Sequence, residues 1–249
     1  MPTLPARYGV SASIVFCIAA TFGAPSLAQN CGALTQGSIV FSSAPTTVLY
    51  PHDSASSAIG FNLVEIHGTS PVNDTPGDPS LNGFKQLCTI FSLTGTQSTI
   101  MQVNAQTGGL TTFICDQLKA PRFQPCQAVI IWPAPEAASF MGQIPYNAAG
   151  HEGTWTYTFY AQVPPNLVGS NLYGIPHSAS FNNGSFNDGN LFCNKLSLPA
   201  GTVISRYLPQ TGGVDQFICG QVQSFWGGSP GEAVLIRPPS TVTSTMPIP

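Results

Sequence analysis

The sequence predicts a mainly β fold made of two tandem homologous modules, sandwich-like or barrel-like, each with one short helix and tied by disulfides. Three observations carry this prediction. The stretch Gln106-Thr107-Gly108-Gly109-Leu110-Thr111-Thr112-Phe113-Ile114-Cys115-Asp116-Gln117 recurs as Gln210-Thr211-Gly212-Gly213-Val214-Asp215-Gln216-Phe217-Ile218-Cys219-Gly220-Gln221, with eight of twelve positions identical. Short runs of β-branched and aromatic residues, several alternating at period two, are punctuated by Gly, Pro and Asn. Six cysteines, an even number, remain once an N-terminal leader is removed, which reads as a disulfide framework.

The repeat extends outward at nearly constant offset. Cys88 answers to Cys193, Ser92-Leu93 to Ser197-Leu198, and Pro125-Cys126-Gln127-Ala128-Val129-Ile130-Ile131 to Pro230-Gly231-Glu232-Ala233-Val234-Leu235-Ile236. Upstream, Asn62-Leu63-Val64-Glu65-Ile66 answers to Asn171-Leu172-Tyr173-Gly174-Ile175. A period near 105 residues is too long for a solenoid and signals a duplicated domain. Duplication also narrows the disulfides. Cys88 and Cys115 are 27 residues apart and Cys193 and Cys219 are 26 apart, at equivalent positions. The economical assignment is one equivalent bridge per module, leaving Cys31 for Cys126, which stands where the second copy has Gly231.

Taken in chain order, residues 1–28 carry the single cation Arg7, an apolar stretch over 10–24, and a small-x-small end at Ser26-Leu27-Ala28, the pattern of a cleaved secretory signal peptide. The apolar stretch is shorter than the ~20 residues of a membrane-spanning helix, and no later stretch is longer, so no transmembrane anchor is expected. Neither Cys17 nor Cys31 has the small-residue context of a lipid-modified cysteine. Module one is placed at 29–140, module two at 141–238, and a disordered tail rich in Pro, Ser and Thr at 239–249. In module one, Asp78 as N-cap with Pro79 behind it starts a helix that puts Leu81, Phe84 and Cys88 on one face; 187–192 is the weaker counterpart. Strands at 98–103 and 110–115 flank Thr107-Gly108-Gly109, whose glycines supply the positive φ of a hairpin turn. Residues 202–208 and 214–219 repeat that hairpin. The apolar runs 128–132 and 233–236, each halted by proline, read as buried strands ending the modules. Residues 154–160 alternate hydroxyl and aromatic side chains, a strand with one buried face.

Modules with an Asn-Leu-x-x-Ile strand, a Leu-Cys helix end, a Thr-Gly-Gly hairpin leading to Cys and a closing Gly-Glu-Ala-Val-x-Ile strand resemble duplicated β-rich domains of proteins secreted by environmental bacteria. The resemblance covers most of the chain after the leader. Its motifs are structural and bring no activity, so it implies no site residues; module one departs from it only at Cys126-Gln127.

Only 7% of residues are charged, against roughly 25% in ordinary soluble domains. With a net charge of −3 and no Lys/Arg cluster, nucleic acid and anionic lipid are not expected partners. Weak charge repulsion permits self-association or packing on a neutral polymer. No Gly-x-Ser-x-Gly occurs, and His52-Asp53-Ser54 are too close in sequence to converge as a triad. His151-Glu152 has Trp155 where a zinc-protease helix needs a second histidine. No metal or cofactor is expected. His67 and His177 follow equivalent strands and are the candidates for a paired site between modules. Phe225-Trp226-Gly227-Gly228 reads as a loop tip whose rings would stack on a sugar face. The sequence therefore leans away from catalysis, toward an exported protein, periplasmic, secreted or on the cell surface. Its partner would be carbohydrate, another surface protein or a second copy. The alternative is a secreted hydrolase with its site in a cleft between modules.

Overall fold

In the computed structural model, residues 41–43, 47–51, 60–65, 83–93, 97–117, 128–135, 139–147, 154–163, 167–175, 189–221 and 232–247 are described. Module one comprises β1 (Phe41–Ser43), β2 (Thr47–Leu49), β3 (Asn62–Glu65), α1 (Phe84–Ile90), β4 (Thr99–Val103), β5 (Leu110–Ile114), β6 (Ala128–Trp132), β7 (Phe140–Gly142) and β8 (Pro145–Asn147). Module two comprises β9 (Thr154–Phe159), β10 (Asn171–Gly174), α2 (Gly189–Lys195), β11 (Val203–Leu208), β12 (Gly213–Ile218), β13 (Ala233–Arg237) and β14 (Val242–Pro247). The fold is mainly β, as the sequence predicts, with one short helix per module and no closed barrel among the described residues.

The two modules repeat one plan. A four-stranded antiparallel sheet has the order β3-β6-β4-β5 in module one and β10-β13-β11-β12 in module two. A helix and a two-stranded ladder, β2-β7 or β9-β14, cover one face of that sheet. The core between the layers of module one contains Leu49, Val64, Phe84, Leu87, Phe91, Ile100, Phe113, Val129 and Ile131. That of module two contains Tyr157, Phe159, Tyr173, Phe192, Leu196, Ile204, Phe217, Val234 and Ile236.

Equivalent devices hold the layers together. The bridges Cys88–Cys115 and Cys193–Cys219 are both formed, each fastening the helix to the end of the β5 or β12 strand, with Cα atoms 5.6 and 5.8 Å apart. Each helix ends in a Schellman turn closed by a serine in the left-handed region, Ser92 (φ 55°) or Ser197 (φ 51°). There Leu93 N donates to Cys88 O at 2.7 Å and Leu198 N to Cys193 O at 2.8 Å. A buried asparagine joins ladder to sheet. Asn171 Oδ1 accepts from Tyr160 N at 2.8 Å, while its Nδ2 is shared among the carbonyls of Tyr160, Gly169 and Ile236, each at 2.9 Å. Asn62 does the same with Tyr50 N and the carbonyls of Tyr50, Gly60 and Ile131. The hairpin glycines Gly108 and Gly212 take φ of 71° and 69°, the conformation the turn was predicted to need.

Four expectations are corrected. The tail at 239–249 is not disordered over 242–247: β14 pairs along the whole of β9, and the Ser244 hydroxyl donates to Leu196 O. Its alternation of Thr241, Thr243 and Thr245 with Val242, Ser244 and Met246 is a strand pattern hidden in tail-like composition. Consequently β6 and β13 do not end their modules; each lies inside its sheet and is followed by a ladder strand. Module one continues past residue 140, because β7 and β8 pair with β2 and β1 as far as Asn147. Helix α1 begins at Phe84 behind Gly83 (φ 66°), with no side-chain cap, rather than at Asp78, which lies outside the described residues. Residues 1–28 and the expected Cys31–Cys126 bridge also lie outside them.

Two outcomes check this arrangement. Asn171→Ala leaves Tyr160 N and three carbonyls without their shared partner, and should lower unfolding free energy by about 3 kcal/mol in denaturant titration. Removing Cys193–Cys219 as the double alanine variant should cost about 3.5 kcal/mol by the loop-entropy relation, and the Cys88–Cys115 pair the same.

Candidate functional site

The face of each four-stranded sheet turned away from its own core is also apolar. Leu63, Met101, Val103, Ala128 and Ile130 of module one meet Leu172, Tyr207, Ala233 and Leu235 of module two in a third buried cluster. The two sheets thus pack on each other, and β6 and β13 are covered on both faces. That is why Ala128-Val129-Ile130-Ile131 and Ala233-Val234-Leu235-Ile236 are unbroken apolar runs instead of alternating ones.

The junction is pseudo-twofold symmetric. Gly60 N donates to Pro209 O at 2.9 Å, and the equivalent Gly169 N donates to Ala105 O at 2.7 Å. Symmetry is broken where the rings of Phe61 and Tyr207 pack at a tilt of 46° with centroids 4.9 Å apart, since the equivalent positions hold Ser170 and Val103. Gly108 in the β4-β5 turn lies against module two so closely that a Cβ there would stand 2.9 Å from Val168 N.

Charge is sparse here. Arg206 Nη2 donates to Asp215 Oδ2 at 2.8 Å, and its Nη1 lies 3.9 Å from Glu232 Oε2. The three belong to β11, β12 and the start of β13, beside the bridge between Val64 and Glu232 that joins the modules. Module one has Gln102, Thr111 and Gln127 at these positions, so the charged trio is private to module two. All three groups are partly exposed, and strand alternation sets them on the face that carries Ile204, Phe217 and Val234, opposite the face that forms the junction. Among the described residues no three His, Cys, Asp or Glu side chains come close enough to hold a metal ion.

The residues singled out from the sequence, Trp226, Phe225, His67 and His177, lie outside the described residues, as do His52, His151 and Glu152. Of the remaining tryptophans, Trp132 is half-buried at the end of β6, opposite Thr99 of β4. Among the described residues no helix is long and apolar enough to cross a membrane. What sequence reasoning missed is the junction itself. The signal was present in the unbroken apolar runs, which require cover on both faces.

Replacing Leu172 by Asp places a carboxylate in this junction, where Leu172 is 5% exposed. The variant should lose at least about 3 kcal/mol. Its calorimetric trace should separate into two transitions as the sheets lose their shared face. No family model, curated protein or solved structure matches this chain.

Proposed function

We propose that the chain is exported and acts without catalysis as a two-module binding or assembly protein, periplasmic, secreted or on the cell surface. Its partner is a neutral polymer such as carbohydrate, another surface protein or a second copy of itself. The observation that carries this reading is the apolar junction. A hydrolase with a site between modules requires a polar cleft with a histidine and acids converging in it, whereas the described junction is filled by Val103, Ile130, Leu172 and Leu235. Among the described residues Arg206, Asp215 and Glu232 lie on the other face of the module-two sheet, where Arg206 is close to both carboxylates.

Several further features support the reading. The leader at 1–28 has signal-peptide form, and the two formed disulfides suit an oxidising compartment. A surface with 7% charged residues presents hydroxyls and amides, the groups that hydrogen-bond sugars. Trp226 with Phe225 supplies flat rings for stacking, and His67 and His177, one position out of register with each other, supply polar groups after β3 and β10. Two modules on one chain raise avidity for a repeating polymer through effective concentration.

A screen of the leader-free, disulfide-bonded protein against soluble and insoluble polysaccharides tests the reading, with light scattering on the same sample. Saturable binding, reduced at least about tenfold by Trp226→Ala, is the expected result for carbohydrate recognition. A monodisperse monomer that binds none of them would sink the proposal.

A further inference from the structure

Among the described residues each four-stranded sheet has one edge at the module junction, β3 or β10, and one with no further strand beside it, β5 or β12. In the β4-β5 ladder, Cys115 N donates to Ser98 O at 3.0 Å and Asn104 N to Gly109 O at 2.8 Å. Bonded pairs in an antiparallel ladder alternate, so the residues of β5 that bond to β4 are Thr111 and Phe113. The main-chain groups of Leu110, Thr112 and Ile114 point away from the sheet. Of these, Ile114 O accepts from Gln117 N; the N–H groups of all three face outward.

The side chains at this edge are equally open. Leu110 and Ile114 are each 39% exposed and Thr112 between them is exposed. They lie on the sheet face that forms the module junction, because Leu110 pairs with Val103 and Thr112 with Met101, both junction residues. The apolar junction surface therefore continues to the free edge. Proteins normally blunt such an edge with lysine, proline or a bulge, and Leu-Thr-Thr-Phe-Ile has no charge and no proline. β12 differs: it carries Asp215, whose carboxylate is 47% exposed beside Arg206.

We propose that β5 is an association edge that pairs antiparallel with β5 of a second copy about a twofold axis through Thr112. The edge is complementary to itself. Thr112 meets Thr112 of the partner subunit, Leu110 meets Ile114 of the partner subunit, and the N–H groups of Thr112 and Ile114 face the outward carbonyls of Thr112 and Leu110 across the axis. The absence of charge leaves nothing to repel the copy. Two sheets become one eight-stranded sheet, and the exposed Leu110 and Ile114 side chains gain cross-strand neighbours. Pairing β5 with β12 of the next copy would not close and would build fibres instead. An edge contact of five residues buries less than the ~1,000 Å² of a permanent interface, so this dimer forms reversibly with concentration.

The inference names the partner in the assembly half of the proposed function and rests on that reading. Sedimentation velocity on the leader-free, disulfide-bonded protein is run from about 1 μM to about 1 mM, the span that brackets weak complexes. The expected result is a shift from monomer to dimer that stops at two. Thr112→Pro removes only an outward N–H and spares the β4-β5 ladder, so it should weaken dimerisation at least about tenfold with unchanged far-ultraviolet circular dichroism. Thr112→Lys sets like charges across the axis and should also return the monomer, with partial recovery at high salt. Gln216→Pro, at the equivalent place on β12, should leave the dimer intact. A wild type that stays monomeric, a dimer indifferent to Thr112→Pro, or one abolished by Gln216→Pro overturns the proposal. The polysaccharide screen on the same sample separates the two readings: a monomer that still binds sugar removes β5 pairing and leaves the binding reading in place.

Discussion

The buried amide of one asparagine per module is the interaction on which the architecture rests. A two-stranded ladder is marginal by itself, and the cores of both modules need it as a lid: Leu49 and Phe140 in one, Tyr157, Phe159 and Val242 in the other. Asn62 and Asn171 fix that lid by acting as a short piece of strand, giving Tyr50 and Tyr160 both a donor and an acceptor where the chain leaves the ladder. The same amide reaches the far carbonyl of Ile131 or Ile236, so three chain segments meet on one side chain. In a water-poor site such a network is strong when complete and costly when any member is missing. Aspartate, with no N–H to give, could not replace it, and a hydrophobe would leave main-chain groups stranded.

Legibility followed the strength of local signals. The hairpins at β4-β5 and β11-β12 were readable because Thr-Gly-Gly fixes a turn and the flanking runs are β-branched or aromatic. The central strands were readable as apolar runs, but the ladder strands that follow them were not, since β7 is only three residues long and β14 carries small polar residues such as Ser244 whose burial is decided by tertiary contacts. Helix α1 was legible from Phe84 and Cys88 on one face, while its first residue behind Gly83 carries no capping side chain to announce it. Candidate recognition residues were proposed from residue type alone: a tryptophan beside two glycines, and histidines after equivalent strands. Neither feature has a periodicity that would place it in space.

Covering both faces of β6 and β13 makes each module incomplete alone. A lone module would expose the row formed by Leu63, Val103 and Ile130, or its counterpart with Leu172, Tyr207 and Leu235. The pairing has the form of an isologous dimer held on one chain: equivalent residues face each other, and the two Gly-to-carbonyl bonds across the junction are reciprocal. Joining the halves covalently makes their encounter independent of protein concentration.

The broken symmetry at Phe61 and Tyr207 bears on how that pairing is reached in time. Module one precedes module two along the chain, and its apolar sheet face stays uncovered until module two has folded. Neighbouring nascent chains offer the same face, so a swapped pairing of two first modules competes with the correct one. Such a pair would set Phe61 against Val103, and two second modules would set Tyr207 against Ser170; neither recovers the ring contact that forms between unlike modules. One aromatic pair on one side of the pseudo-axis thus gives the nascent chain a means of telling its own second half from a neighbour's first.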